Sequence, residues 1–229
     1  SAKFDGEAKS LSAQLKVLAK DGTSAAAFIN DCGEQESQFD GFARCGATLE
    51  GYSISKVPVV DTLDWTPLFD AINKKIAKEI DKKESDPKKA DGAKYFFKEL
   101  LSITQDTVSQ PRRECAVAVF AEPDALNICL AGHISDGYEL EELLGEAVEA
   151  IRDEKPALVE KVLETNVADV ESVHLHQLAI DVPADMKDRE KGVALIGEQV
   201  KVIVGFGPEA VYVAAGKDPL AKLTKCIKK

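Results

Sequence analysis

Cys115-Ala-Val-Ala-Val-Phe-Ala-Glu-Pro-Asp-Ala-Leu-Asn-Ile-Cys-Leu-Ala-Gly132 is the stretch that decides the fold, because Lys201-Val-Ile-Val-Gly-Phe-Gly-Pro-Glu-Ala-Val-Tyr-Val-Ala-Ala-Gly216 repeats its grammar. Each begins with a short run rich in β-branched and aromatic residues. A tight turn follows with Pro at its second position, then a second apolar run that ends in Ala-Gly. Runs of this length between turn residues favour strands over a buried helix, and Pro presets φ for the turn. Both stretches therefore predict β-hairpins. They close around Glu122-Pro123-Asp124-Ala125-Leu126 and Gly207-Pro208-Glu209-Ala210-Val211. Closure about Pro123 and Asp124 brings Cys115 nearer to Gly132 than to Cys129, so the two cysteines are expected as small buried hydrophobes without a bridge.

A helix is predicted after each hairpin. Leu140, Leu143, Leu144, Ala147, Val148 and Ile151 recur at three- and four-residue spacing, while Glu139, Glu141, Glu142, Glu146 and Glu149 take the other face. Asp136 has the chemistry of an N-cap, with Glu139 at the capping-box spacing. In the second copy Asp218 is the N-cap and Pro219 the first helical residue, and Leu220, Leu223 and Ile227 form the stripe. Lys225, Lys228 and Lys229 complement the negative end of that helix. Strand, strand, helix is a common unit, so this internal repeat fits duplication and reuse alike.

Working outward, Ala8, Leu11, Leu15 and Leu18 predict a first helix that stops at Asp21-Gly22, and Thr23 to Val60 has strand character, clearest from Phe42 to Ile54. Thr66-Pro67 opens a helix striped by Phe69, Ile72, Ile76 and Ile80. Lys82 to Gly92 reads as a loop, and a further helix is predicted over Ala93 to Thr104. Later come a short helix near Pro156 to Leu163, a strand over Val173 to Val182, and a polar connection from Pro183 to Lys191. The fold class is α+β, a mostly antiparallel sheet with packed helices and two similar hairpin-plus-helix units in the second half. The organisation is an N-terminal half over 1–110 and a C-terminal half over 111–229.

With 40 acidic and 29 basic residues the formal charge is −11, a field that repels phosphate backbones, so nucleic acid is not an expected partner. No apolar run reaches the length of a membrane span. None of the five cysteines forms a Cys-x-x-Cys pair, and no Gly-x-Gly-x-x-Gly, Walker or Gly-x-Ser-x-Gly pattern occurs. No cofactor is expected.

His174 and His176 carry the sharpest local chemistry. Residues i and i+2 of a strand share a face, so two imidazoles side by side could ligate a transition metal, with Asp181 or Glu171 as further ligands. Set against that, two histidines on the solvent side of an antiparallel sheet need no function, and Asp181 falls on the opposite face. His133, near Cys129, Asp136 and Tyr138, permits a sketch of a cysteine nucleophile and its base, but a mid-strand cysteine is ordinarily buried and inert. Trp65 reads as a helix-entrance staple rather than a ligand platform.

Ala116 to Ile151, with Glu122-Pro-Asp-Ala-Leu and Gly137-Tyr-Glu-Leu-Glu, together with Val200 to Ile227, with Glu209-Ala-Val-Tyr-Val-Ala-Ala-Gly-Lys-Asp-Pro-Leu, resembles a family of uncharacterised exported proteins of planctomycete-type bacteria. The resemblance implies export to the periplasm or the cell exterior from a longer parent protein; it carries no activity. Unpaired cysteines fit a cytoplasmic location better. The expected role is a non-enzymatic binding or structural domain of an envelope protein, taking a protein partner or an apolar ligand on a sheet face. The alternative is a metal-dependent hydrolase using His174 and His176.

Overall fold

The computed structural model describes residues 2–5, 10–13, 20, 22–23, 26, 37–56, 64–184 and 189–228. The chain divides into two compact units, Ser1–Gln35 and Glu36–Lys229. In the first, β1 (Ala2–Asp5) pairs antiparallel with β2 (Ser10–Ala13). The helix predicted through Leu11 is thus a strand at Ser10-Leu-Ser-Ala13, where polar and apolar residues alternate with period two. Leu15 and Leu18 lie outside the described residues.

The second unit is built on seven antiparallel strands. In spatial order they are β3 (Leu49–Lys56), β4 (Arg112–Glu122), β5 (Ala125–His133), β9 (Ala210–Gly216), β8 (Gln199–Gly207), β7 (Val173–Asp181) and β6 (Leu163–Val170). The α+β class holds, both hairpins form, and the first takes the expected register. Cys115 faces Gly132, and the ladder from Ala116–Ala131 to Glu122–Ala125 corresponds pair for pair to that from Lys201–Gly216 to Gly207–Ala210. The hairpins join side by side through β5 and β9, with Cys129 opposite Ala214.

Alternation sorts the strand residues onto two faces. Ala116, Ala118, Phe120, Cys129, Ala131, Leu175, Ile203, Tyr212 and Ala214 line the first face and are buried. They pack against Leu223, Cys226 and Ile227 of α6 (Pro219–Ile227) and against Phe39 and Phe42, which flank Gly41 in a 3-10 turn over Asp40–Ala43. Phe39 meets the Tyr212 ring edge-on at 5.7 Å, and Phe42 stacks on it at 6.4 Å. Phe42 is therefore helical, where strand had been expected.

α3 (Gly137–Glu154) takes the second face. Asp136 caps it as predicted, its side chain accepting from the Glu139 amide at 2.9 Å. Gly137 is required at the first position, because a Cβ there would collide with the carbonyl oxygens of Gly207 and Ala210. The helix after the first hairpin thus packs on the face opposite to the helix after the second. Asp218 precedes α6, but its side chain caps nothing; instead its amide donates to the Asn127 side-chain oxygen at 2.8 Å.

In sequence α1 (Thr66–Lys83) and α2 (Pro87–Ser109) connect β3 to its neighbour β4. The loop expected over Lys82 to Gly92 shrinks to Glu84–Asp86. Pro87 occupies the first helical position, where its missing N–H costs nothing, and Asp86 accepts from the Lys88 amide at 2.9 Å. α4 (Pro156–Val162) forms where the short helix was expected. β6 and α5 (Arg189–Ile196) were not anticipated. Cys129 is fully buried, but Cys115 points to the second face and is exposed, which corrects the expectation of two buried thiols.

Candidate functional site

The two predicted histidines end up beneath α3. His174 and His176 share the second face of β7, opposite Phe206 and Val204 of β8. Glu141, one turn into α3, reaches down between them. Its Oε2 lies 2.8 Å from His174 Nδ1 and its Oε1 lies 2.9 Å from His176 Nε2. The side chains of His176 and Glu141 are 16% and 21% exposed, against 43% for His174. The pair is thus half covered by a helix rather than displayed to solvent. Tyr138 stacks on the His174 ring at 5.0 Å and donates its hydroxyl to the Ser172 carbonyl at 2.6 Å, while Phe206 meets His176 edge-on at 5.7 Å.

Hydrogen bonding assigns the His176 tautomer. The Asn166 amide donates to His176 Nδ1 at 3.4 Å, so the ring proton sits on Nε2 and is donated to Glu141. Asn166 is free to do this because β6 is irregular between Glu164 and Ala168, with Asn166 at φ 53°.

Beside this triad a cavity of about 240 Å³ opens between α3 and β6–β8, walled by Leu144, Val148, Leu163, Leu178, Val204 and Phe206, with Glu141, His176, Glu149 and Thr165 as its polar lining. Gly145 contributes to its helical wall, and a Cβ there would meet nothing within 4 Å. Sheet and helix generate this arrangement together. The Leu144 and Val148 row of α3 lines the cavity across from Val204 and Phe206 of β8, and Gly145 adds no side chain to fill it.

The other sequence candidates fall elsewhere. Asp181 pairs with Lys161 at 2.6 Å, which holds its carboxyl below the usual range, and accepts from Gln199 at 2.8 Å. Glu171 sits in the β6–β7 turn at φ 46°. Neither joins the histidines. Among the described residues no group of three or more His, Cys, Asp or Glu side chains is arranged to hold a metal ion. His133 is saturated: Nε2 lies 2.5 Å from Gln110 Oε1, and the Gln38 amide nitrogen approaches Nδ1 at 3.4 Å. Burial holds its pKa below the ordinary imidazole value. Trp65 occupies the N-cap position of α1, and Asp64 accepts from the Thr66 amide at 2.9 Å.

Sequence reasoning missed Glu141, which it assigned to the solvent face among five acids. The available signal was its place at the border of the stripe, one residue after Leu140 and four before Gly145. It also missed a buried carboxylate held by a partly exposed arginine. Glu114, its side chain 0% exposed, accepts from Arg112 Nε at 2.9 Å and Nη2 at 2.5 Å, and from the Ser37 hydroxyl. Ser37 in turn accepts from the Phe39 amide at 2.9 Å, tying the turn that carries Phe39 and Phe42 to the sheet.

Comparison with protein-family models, curated proteins and solved structures finds no match to this chain.

Proposed function

We propose that this chain is a binding domain that takes a small, largely apolar ligand between α3 and the β6–β8 end of its sheet. The observation that carries this reading is the cavity itself, six apolar side chains around about 240 Å³ with the Glu141–His176 pair, Glu149 and Thr165 as its few polar groups. Apolar walls with a few convergent polar groups are the usual make-up of a small-molecule site. The size points to a compact guest, since an apolar cavity of about 150 Å³ holds benzene and drug-sized sites begin at about 300 Å³. Binding is favoured over catalysis at the cavity because both nitrogens of His176, the imidazole that lines it, are engaged, by the Asn166 amide and by Glu141. A larger trough of about 360 Å³, between α2 and β5–β9 and beside His133, is the weaker candidate because that imidazole is already partnered on both nitrogens.

Export to the envelope is the location we favour, on the resemblance of Ala116 to Ile151 and Val200 to Ile227. Among the described residues no helix is long and apolar enough to cross a membrane. Fractionation of the source cell tests this, and recovery in the cytosol would reverse it.

A ligand that binds only the native state raises its stability in proportion to occupancy. Saturating ethylbenzene should therefore raise the melting temperature of the wild type but not of Gly145→Leu, whose side chain enters the cavity. Equal response of the two proteins, or no response of the wild type, rejects the reading.

A further inference from the structure

We infer that the ligand of this cavity carries an ammonium group, docked on Glu141. The inference rests on the proposed cavity and adds the charge of its guest. Glu141 and Glu149 are the charged residues of the lining, with no Lys or Arg among the described lining residues. Glu149 is already paired with Arg152. The described partners of Glu141 are instead two imidazoles. With Nδ1 of His176 accepting from the Asn166 amide, that ring meets Glu141 through Nε2 as a hydrogen-bond donor.

A carboxylate accepts about four hydrogen bonds, so two imidazole donors leave capacity on both oxygens. The stacked Tyr138 and the edge of Phe206 fix the two rings and thereby the carboxylate they hold. An anion set in an apolar wall attracts a cation and repels a second anion more strongly than it would in water, and the formal charge of −11 adds the same bias at longer range. The geometry therefore selects a hydrophobic amine and discriminates against a fatty or aromatic acid.

Three guests of nearly equal shape separate the terms: phenethylamine, phenethyl alcohol and phenylacetate, titrated calorimetrically at about pH 8, where an ordinary imidazole is uncharged. The amine should bind about tenfold tighter than the alcohol, the increment of one charge-assisted hydrogen bond, and phenylacetate weakest. Glu141→Gln should abolish the lead of the amine over the alcohol, and a cooperative melting curve of the variant checks that it is folded. Gly145→Leu and Leu178→Trp should weaken all three.

If the alcohol or phenylacetate binds the wild type as tightly as the amine, or the amine keeps its lead in Glu141→Gln, the ammonium assignment is wrong and the cavity stands. If none of the three binds, or both filling variants bind normally, the cavity reading falls and takes the assignment with it. The order of affinities in the wild type decides the matter even should Glu141→Gln not fold.

Discussion

Replacing Arg112 with Met should be among the most damaging single changes outside the apolar core. Glu114 is out of solvent, and its three described hydrogen bonds come from two Arg112 nitrogens and the Ser37 hydroxyl. Without the guanidinium a buried anion keeps one neutral donor. Breaking a buried pair by removing one partner costs about 3–5 kcal/mol, a large share of the about 5–15 kcal/mol that holds a domain folded. Arg112 has further partners, so the single variant does not isolate the pair. The double variant with Glu114→Gln does, because it leaves a neutral amide whose incomplete pairing costs about 1–3 kcal/mol. A double-mutant cycle by urea unfolding should show the second substitution recovering about 2 kcal/mol of what the first lost. A loss below about 1 kcal/mol for Arg112→Met, or no recovery in the double variant, would refute the claim that Glu114 depends on this partner in a dry site.

Gly145→Ala should raise stability by about 0.5–1 kcal/mol, since it sits mid-helix with open space around its Cβ; Gly216→Ala should lower it, because that residue has φ 145° and its Cβ would collide with the Leu126 carbonyl. Paired melting curves check both signs. The pKa of His133 is held below its ordinary value by burial, so the unfolded chain binds the proton more tightly. Its contribution to stability is thus full above the ordinary imidazole pKa and is lost as the pH falls through the folded value; an imidazole NMR titration placing the His133 midpoint above 6.5 would reverse that sign. Exposed Cys115 should be alkylated by iodoacetamide well before Cys45, Cys129 and Cys226. Burial and the neighbouring Cys226 thiol push the Cys45 pKa up to about 12, and contact with Cys129 and burial raise that of Cys226, which removes the reactive thiolate. Peptide mapping of a short alkylation should find the label at Cys115 ahead of the other three described cysteines. Protein prepared without chelator should carry no stoichiometric transition metal; about one per chain, lost in a His174→Ala, His176→Ala variant, would favour the hydrolase alternative.

The hairpins were legible because Pro123 and Pro208 punctuate alternating runs, a local signal that survives into the register of both ladders. The faces taken by the two following helices were not. Adjacent strand positions point to opposite faces, so the unequal connections leading to Asp136 and Asp218 decide the side, and reading them requires knowing where pairing stops. α2 began earlier than expected because charge density at Lys82 to Gly92 obscured an Asp86-Pro87 helix start. β6 was hidden because half of it is exposed, with an irregular register. At the site, period two put His174 and His176 on one face. Glu141 could not be found that way, because its partner strand lies more than thirty residues on and many other acids share its helix.

The central claim, that the cavity between α3 and β6–β8 takes a small apolar guest, is tested most directly by methyl NMR during a titration with phenethylamine. Shifts confined to Leu144, Val148, Leu163, Leu178 and Val204, the methyl-bearing walls of the cavity, are the predicted result. The contradicting result is an unperturbed set of these methyls, or perturbation instead at Val117, Ile128 and Leu130, which are exposed on the same sheet face.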